Sequence, residues 1–147
     1  LKPIYMKTLI LILSLLFLGT YAQAQEVTYS KDYNGNTVAK DRYGNVIAKG
    51  STNYNGDFVW KDKYGNVIEI ESSDYNGNKV TKDKYGNKKT IQSTDYNGNE
   101  VVKDTYGNVQ YTLSKDYNGD IVKKDKYGNV LGKYKKDYNG NLVFYPK

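Results

Sequence analysis

One spacing governs this chain: a tyrosine followed by Asn-Gly recurs every 21 residues, at Tyr33, Tyr54, Tyr75, Tyr96, Tyr117 and Tyr138. A second series with the same period, Tyr43, Tyr64, Tyr85, Tyr106 and Tyr127, is followed by Gly-Asn, and a third runs through Val38, Val59, Val80, Val101, Val122 and Val143. No insertion breaks any of them. A strict period of this length means that one supersecondary unit is copied along the chain, so the fold must give like residues like settings.

Each unit divides into two similar halves. Asp32-Tyr33-Asn34-Gly35-Asn36 and Asp41-Arg42-Tyr43-Gly44-Asn45 are both Asp-x-x-Gly-Asn. Asp at the first place can accept hydrogen bonds from nearby backbone amides, and Gly at the fourth can take the positive φ that closes a type I turn with a bulge. Asn53 stands once in place of Asp and can make the same bond. Between the turns lie alternately a short segment such as 36–40 and a longer one such as 45–52, both rich in Val and Ile and without a helical apolar stripe. The expected class is all-β, built from tandem 21-residue β-hairpins.

Two architectures suit such hairpins. In an elongated antiparallel meander equivalent residues sit about 9.6 Å apart; in a two-strand-per-coil β-solenoid they stack at about 4.8 Å. The equivalent lysines Lys40, Lys61, Lys82, Lys103 and Lys124 would repel at the closer spacing unless the adjacent aspartates interleave with them. The meander is therefore the expected form, with the solenoid, which could stack the asparagines into ladders, as its alternative. Six valines make a thin core, so the repeated tyrosines are expected to lie half-buried across the turns, as structural residues first and ligand contacts second.

Residues 1–24 read as a signal peptide. Met6-Lys7 is a charged start, Leu9 to Leu18 an apolar run too short to span a bilayer, and Ala22-Gln23-Ala24 a small-x-small cleavage pattern. Leu1 to Tyr5 precede the expected initiator and are taken as non-native. The rest, 25–147, is expected to form a single β-repeat domain of about five and a half repeats, secreted or held at the cell surface, with no membrane span.

Composition excludes much chemistry. Without His or Cys there is no imidazole or thiolate metal site, no Ser-His-Asp or Cys-His nucleophile arrangement and no disulfide. The carboxylates sit almost all in repeated turns, whereas a glycosidase needs two acids in divergent environments. Asp-Tyr-Asn-Gly-Asn is not an EF-hand loop: its glycine comes fourth rather than sixth, and the twelfth residue from Asp32 is Tyr43. Neither a catalytic residue, a metal nor a cofactor is expected. The chain carries 22 basic and 16 acidic residues. With Lys2 and Lys7 removed the excess is small and interspersed, which argues against nucleic acid and leaves room for an acidic polysaccharide.

The one sharp departure from the repeat is Trp60, with Phe58 on the same side of its strand. The equivalent places hold Thr37 and Ala39, Lys79 and Thr81, Glu100 and Val102, Ile121 and Lys123, and Leu142 and Phe144. Read as a variable outer face, this makes Trp60, Phe58, Tyr54 and Tyr64 the candidate ligand-binding residues.

The paired motifs Asp74-Tyr75-Asn76-Gly77-Asn78 and Asp83-Lys84-Tyr85-Gly86-Asn87 resemble the YD repeats of RHS-type bacterial surface proteins over the whole of 25–147. That resemblance implies β-hairpin sheets and an extracellular role. The typical Tyr-x-Tyr-Asp step is replaced here by stretches such as Ser114-Lys115-Asp116-Tyr117, and the chain is too short to enclose a cargo. The expected function is a non-enzymatic extracellular module for adhesion or a surface matrix. The alternatives are a carbohydrate- or cell-wall-binding repeat and a curli-like fibre subunit that self-associates through sheet edges. A polysaccharide or cell-surface component is the expected partner.

Overall fold

The computed structural model describes residues 25–147; the expected signal peptide and the expected cleavage site lie outside the described residues. Every Asp-x-x-Gly-Asn motif forms the turn that its residues demand. In the first, the Gly35 amide donates to the Asp32 carbonyl at 3.0 Å and the Asp32 amide donates to the Asn36 carbonyl at 2.9 Å. One Asp32 carboxylate oxygen accepts from the amides of Asn34 and Asn36, both at 2.9 Å, and the other accepts from the Asn36 side chain at 3.0 Å. Gly35 has φ 80°, a left-handed value that a side chain would resist. Asn53 performs the aspartate's role, accepting from the amides of Asn55 and Asp57.

These turns join twelve strands. The first six are β1 (Val27–Lys31), β2 (Thr37–Asp41), β3 (Val46–Thr52), β4 (Phe58–Asp62), β5 (Val67–Ser73) and β6 (Lys79–Asp83). The remainder are β7 (Lys88–Thr94), β8 (Glu100–Asp104), β9 (Val109–Lys115), β10 (Ile121–Asp125), β11 (Val130–Lys136) and β12 (Leu142–Pro146). No helix occurs among the described residues. Each strand pairs antiparallel with the next, as in the expected meander, but the ribbon does not stay open. β1 pairs with β12 through Val27↔Phe144, Thr28↔Val143 and Tyr29↔Leu142, and the sheet becomes a closed barrel.

Closure corrects both sequence-based architectures, the elongated meander and the solenoid. A twisted open sheet rarely exceeds about ten strands without curling. Each seven-residue strand here also carries a bulge, as where Ala39↔Ala48 is followed by Lys40↔Val46 and Ile47 is left over. Bulges bend and twist a sheet locally. Five of them, turning the same way at equal spacing, curl twelve strands until the ends meet.

The barrel has an inner row and an outer row on each strand. Trp60, Phe58, Ala39, Ala48, Val102, Tyr111, Leu113, Tyr134 and Phe144 belong to one buried cluster, which contains no member of the repeated valine series. Val38 and its equivalents alternate with the inward residues and form an outer belt, in which Val38, Val80, Val122 and Val143 are buried beneath their neighbours and Val59 and Val101 are half-buried. There Val38 and Val122 are paired with Lys49 and Lys133, whose apolar stems can cover them. A twelve-strand barrel with strands about 4.8 Å apart and tilted by about 40° has a backbone radius of about 12 Å. Inward side chains of nearby strands pack on one another, as Tyr29 of β1 does on Trp60 of β4, and cannot all be alike, which is why the inner positions vary while the outer ones repeat. Where Gly50 and Gly132 face inward, Phe58 and Phe144 lie over them and occupy the space a Cβ would take.

Candidate functional site: two rims of exposed tyrosines

Turn position, not strand position, sets where the repeated tyrosines go. The six turns after the odd-numbered strands β1 to β11 lie at one end of the barrel, and the five after the even-numbered strands β2 to β10 lie at the other. The first rim therefore carries Tyr33, Tyr54, Tyr75, Tyr96, Tyr117 and Tyr138, and the second carries Tyr43, Tyr64, Tyr85, Tyr106 and Tyr127. At the tip of a tight turn a side chain has no strand beside it. The first-rim rings are 97–104% exposed and the second-rim rings 72–89%. This overturns the expectation of tyrosines half-buried across the turns.

The two rims differ chemically. At the second, the residue before the tyrosine is a cation in four of five turns. The Arg42 guanidinium lies 4.7 Å from the Tyr43 ring centroid and also donates to its hydroxyl, while the ammonium groups of Lys63, Lys84 and Lys126 lie 5.0 Å from the rings of Tyr64, Tyr85 and Tyr127. Each cation is held by the face of its ring. Thr105 interrupts the pattern before Tyr106, the most exposed ring of that rim at 89%. At the first rim the residue before the tyrosine is Asp or Asn, so no cation shares those tips.

The turn acids are committed to the turns. The Asn45 side chain, with the Asn45 and Tyr43 amides, holds the Asp41 carboxyl below the ordinary carboxylate range, and Asp62 and Asp83 are held down in the same way. First-rim acids are also met by lysines of the outer wall: Lys49 with Asp32 at 3.6 Å, Lys133 with Asp116 at 3.0 Å and Lys135 with Asp120 at 3.4 Å.

The four candidate residues are not brought together. Trp60 has 0% of its surface exposed and Phe58 7%, both inside the barrel, while Tyr54 and Tyr64 stand on opposite rims. The variable face is the inner face. Trp60 meets Phe58 edge-on at 5.3 Å and Tyr29 at 6.5 Å, and its indole N–H donates to Glu71 Oε1 at 3.4 Å.

Glu69 and Glu71 escape the sequence reading, which attends to the turn acids; both are buried, and Glu69 faces Trp60 across β4 and β5. The signal available was their place in the variable register. Also inside, Lys123 lies 4.2 Å from the Tyr111 ring centroid. Burial pushes Lys123 down to about 8 and raises the phenols of Tyr29, Tyr111 and Tyr134 above the ordinary tyrosine range, with Glu69 and Glu71 adding to the effect at Tyr111. These groups are shut within the wall, so the parts of the repeat that can reach a large partner are the rims.

No family model and no curated protein matches the chain. Among solved structures, an X-ray structure of an Arabidopsis thaliana protein superposes with a TM-score of 0.57 at 15% identity, covering 83% of this chain and 80% of that one. This likeness is one of fold alone. A structure of alternansucrase in complex with isomaltononaose aligns over 80% of this chain and 12% of that one at 18% identity, with a TM-score of 0.21, too low to carry an argument.

Proposed function

We propose that the protein is a non-enzymatic extracellular module for adhesion or a surface matrix, and that it grips an extended polysaccharide through its rim tyrosines. The observation that carries this reading is the exposure of all eleven repeated tyrosines, the six of the first rim each followed by an asparagine, at the two ends of a closed barrel. Exposed aromatic rings in such number mark an interaction surface. A tyrosine on a turn locked by five hydrogen bonds has little freedom left to lose on binding. Ring faces stack on sugars, amides bond hydroxyls, and a repeated site gains from multivalency.

The wall is a poorer candidate. Its outward face sets Lys49, Ser51, Lys61, Ser72, Lys82 and Ser93 among the belt valines, so charged and hydroxyl side chains interrupt it where a lipid-facing barrel has a continuous apolar band. Fibre growth from sheet edges needs an unpaired strand, and all twelve are paired on both sides.

Retention on insoluble cell-wall and exopolysaccharide fractions tests the proposal. The parent protein is expected to be retained, and a variant with all eleven rim tyrosines changed to serine to pass through with unchanged β-sheet circular dichroism. Equal retention of the two proteins would remove the rims from the account.

A further inference from the structure

The two ends of the barrel are electrically unlike, and this picks out one class of polysaccharide. On the second rim, four turn tips carry Arg42, Lys63, Lys84 and Lys126, and just below them runs the outward-facing belt of five lysines from Lys40 to Lys124. Five turn aspartates and Glu26 share that end with these nine cations and with Lys88, Lys89 and Lys147, so cations exceed acids there. Those aspartates also turn their oxygens inward. Asp62 accepts from the amides of Tyr64 and Asn66 and from the Asn66 side chain, while Arg42, Lys63, Lys84 and Lys126 are all exposed and form no ion pair among the described residues. At the first rim there is no such excess, because its seven aspartates are matched by seven lysines of the adjoining strands, among them Lys31, Lys49, Lys79, Lys115 and Lys133. Asp57 and Asp120 add to the turn acids there, no tip carries a cation, and wall lysines are drawn to the carboxylates.

We infer that the second rim is a site for an acidic polysaccharide, a polymer of uronate or similarly carboxylated sugars, which it binds by pairing each carboxylate with a cation held beside a tyrosine ring. The inference rests on the reading of the rims as polysaccharide-binding and assigns the charge of the ligand to one of them. Successive second-rim turns lie two strand spacings apart, roughly 12–13 Å along the rim once strand tilt is included. That is comparable with a disaccharide step of an extended chain. Each station offers a ring face for the sugar and a charged donor for its carboxylate, and repetition converts weak surface pairs into useful affinity. The Tyr106 station, with Thr105 in the cation's place, supplies the ring without the charge.

Titration calorimetry of the full chain at low salt, with polygalacturonate and with the same polymer fully methyl-esterified, tests this. Polygalacturonate is expected to bind about tenfold or more tighter than the ester, and to weaken steeply with added salt. The quadruple variant Arg42→Gln, Lys63→Gln, Lys84→Gln, Lys126→Gln is expected to lose about tenfold in polygalacturonate affinity. A charge-matched variant, Lys31→Gln, Lys49→Gln, Lys115→Gln, Lys135→Gln, should stay within about twofold.

Equal losses in both variants would reduce the effect to net charge and overturn the inference. So would competition by duplex DNA as strong as by the uronate, which would make the rim an indiscriminate polyanion surface. Ester binding as tight as the acid, insensitive to the quadruple variant, would overturn it while leaving the tyrosine-rim reading intact. If neither polymer binds and the cell-wall fractions fail to retain the protein as well, both readings fall.

Discussion

Replacing Trp60 by alanine separates an inner from an outer role for the most conspicuous residue of the chain. Its side chain is 0% exposed, lies against Phe58 and Tyr29 edge-to-face, bonds Glu71 through the indole N–H and sits over Gly50. A buried tryptophan hides about 150–250 Å², worth about 4–6 kcal/mol at roughly 25 cal/mol per Å². Alanine keeps a small part of that, and Gly50 beneath leaves a gap that the rigid strand cannot close. The expected loss is therefore about 3–5 kcal/mol. For the residues 25–147, with an unfolding entropy near 2.1 cal/mol/K each, this corresponds to a fall in Tm of about 12–19 °C. Urea titration followed by far-ultraviolet circular dichroism gives the free energy, and the parent emission should be blue-shifted and resistant to acrylamide. A loss under about 1 kcal/mol, with freely quenched emission in the parent, would refute the inward placement.

Gly77→Val places a β-branched residue at φ 83° and should cost about 1–3 kcal/mol in a urea melt, whereas the nearby Lys79→Gln should change stability by no more than about 0.5 kcal/mol. Gly132→Ala puts a Cβ 2.5 Å from Phe144 and 2.6 Å from the backbone oxygen of Tyr145, so the sheet must move, at about 1–3 kcal/mol by the same measurement. Stability against pH should have an alkaline maximum. Lys123 has a folded pKa of about 8 against an ordinary 10.5, so between these values the unfolded chain binds more protons and stability rises with pH; Lys123→Met should abolish the rise. Above about pH 10 the unfolded tyrosines ionise while the buried Tyr29, Tyr111 and Tyr134 keep their protons, and stability should fall again, as melting in a pH series will show.

What the residues determine without help is local. An Asp that caps, a Gly with positive φ and an Asn that closes the turn act within five residues, and so the eleven turns, the strands between them and the all-β class are legible in the repeat. Even the substitute Asn53 obeys the same chemistry. The rest depends on an event at long range. Whether a ribbon of hairpins stays open depends on bulge and twist accumulated over twelve strands, and the decisive pairing joins Val27 to Phe144, more than a hundred residues apart. Alternation says that Val59 and Trp60 face opposite ways but not which of them faces in. Only closure decides, because a barrel has a single interior where unlike side chains must fit one another, so the irregular residues go inside and the repeated valines go out. The same closure moves Trp60 from candidate contact to core, and arranges tyrosines that the sequence strings along a line into two rings.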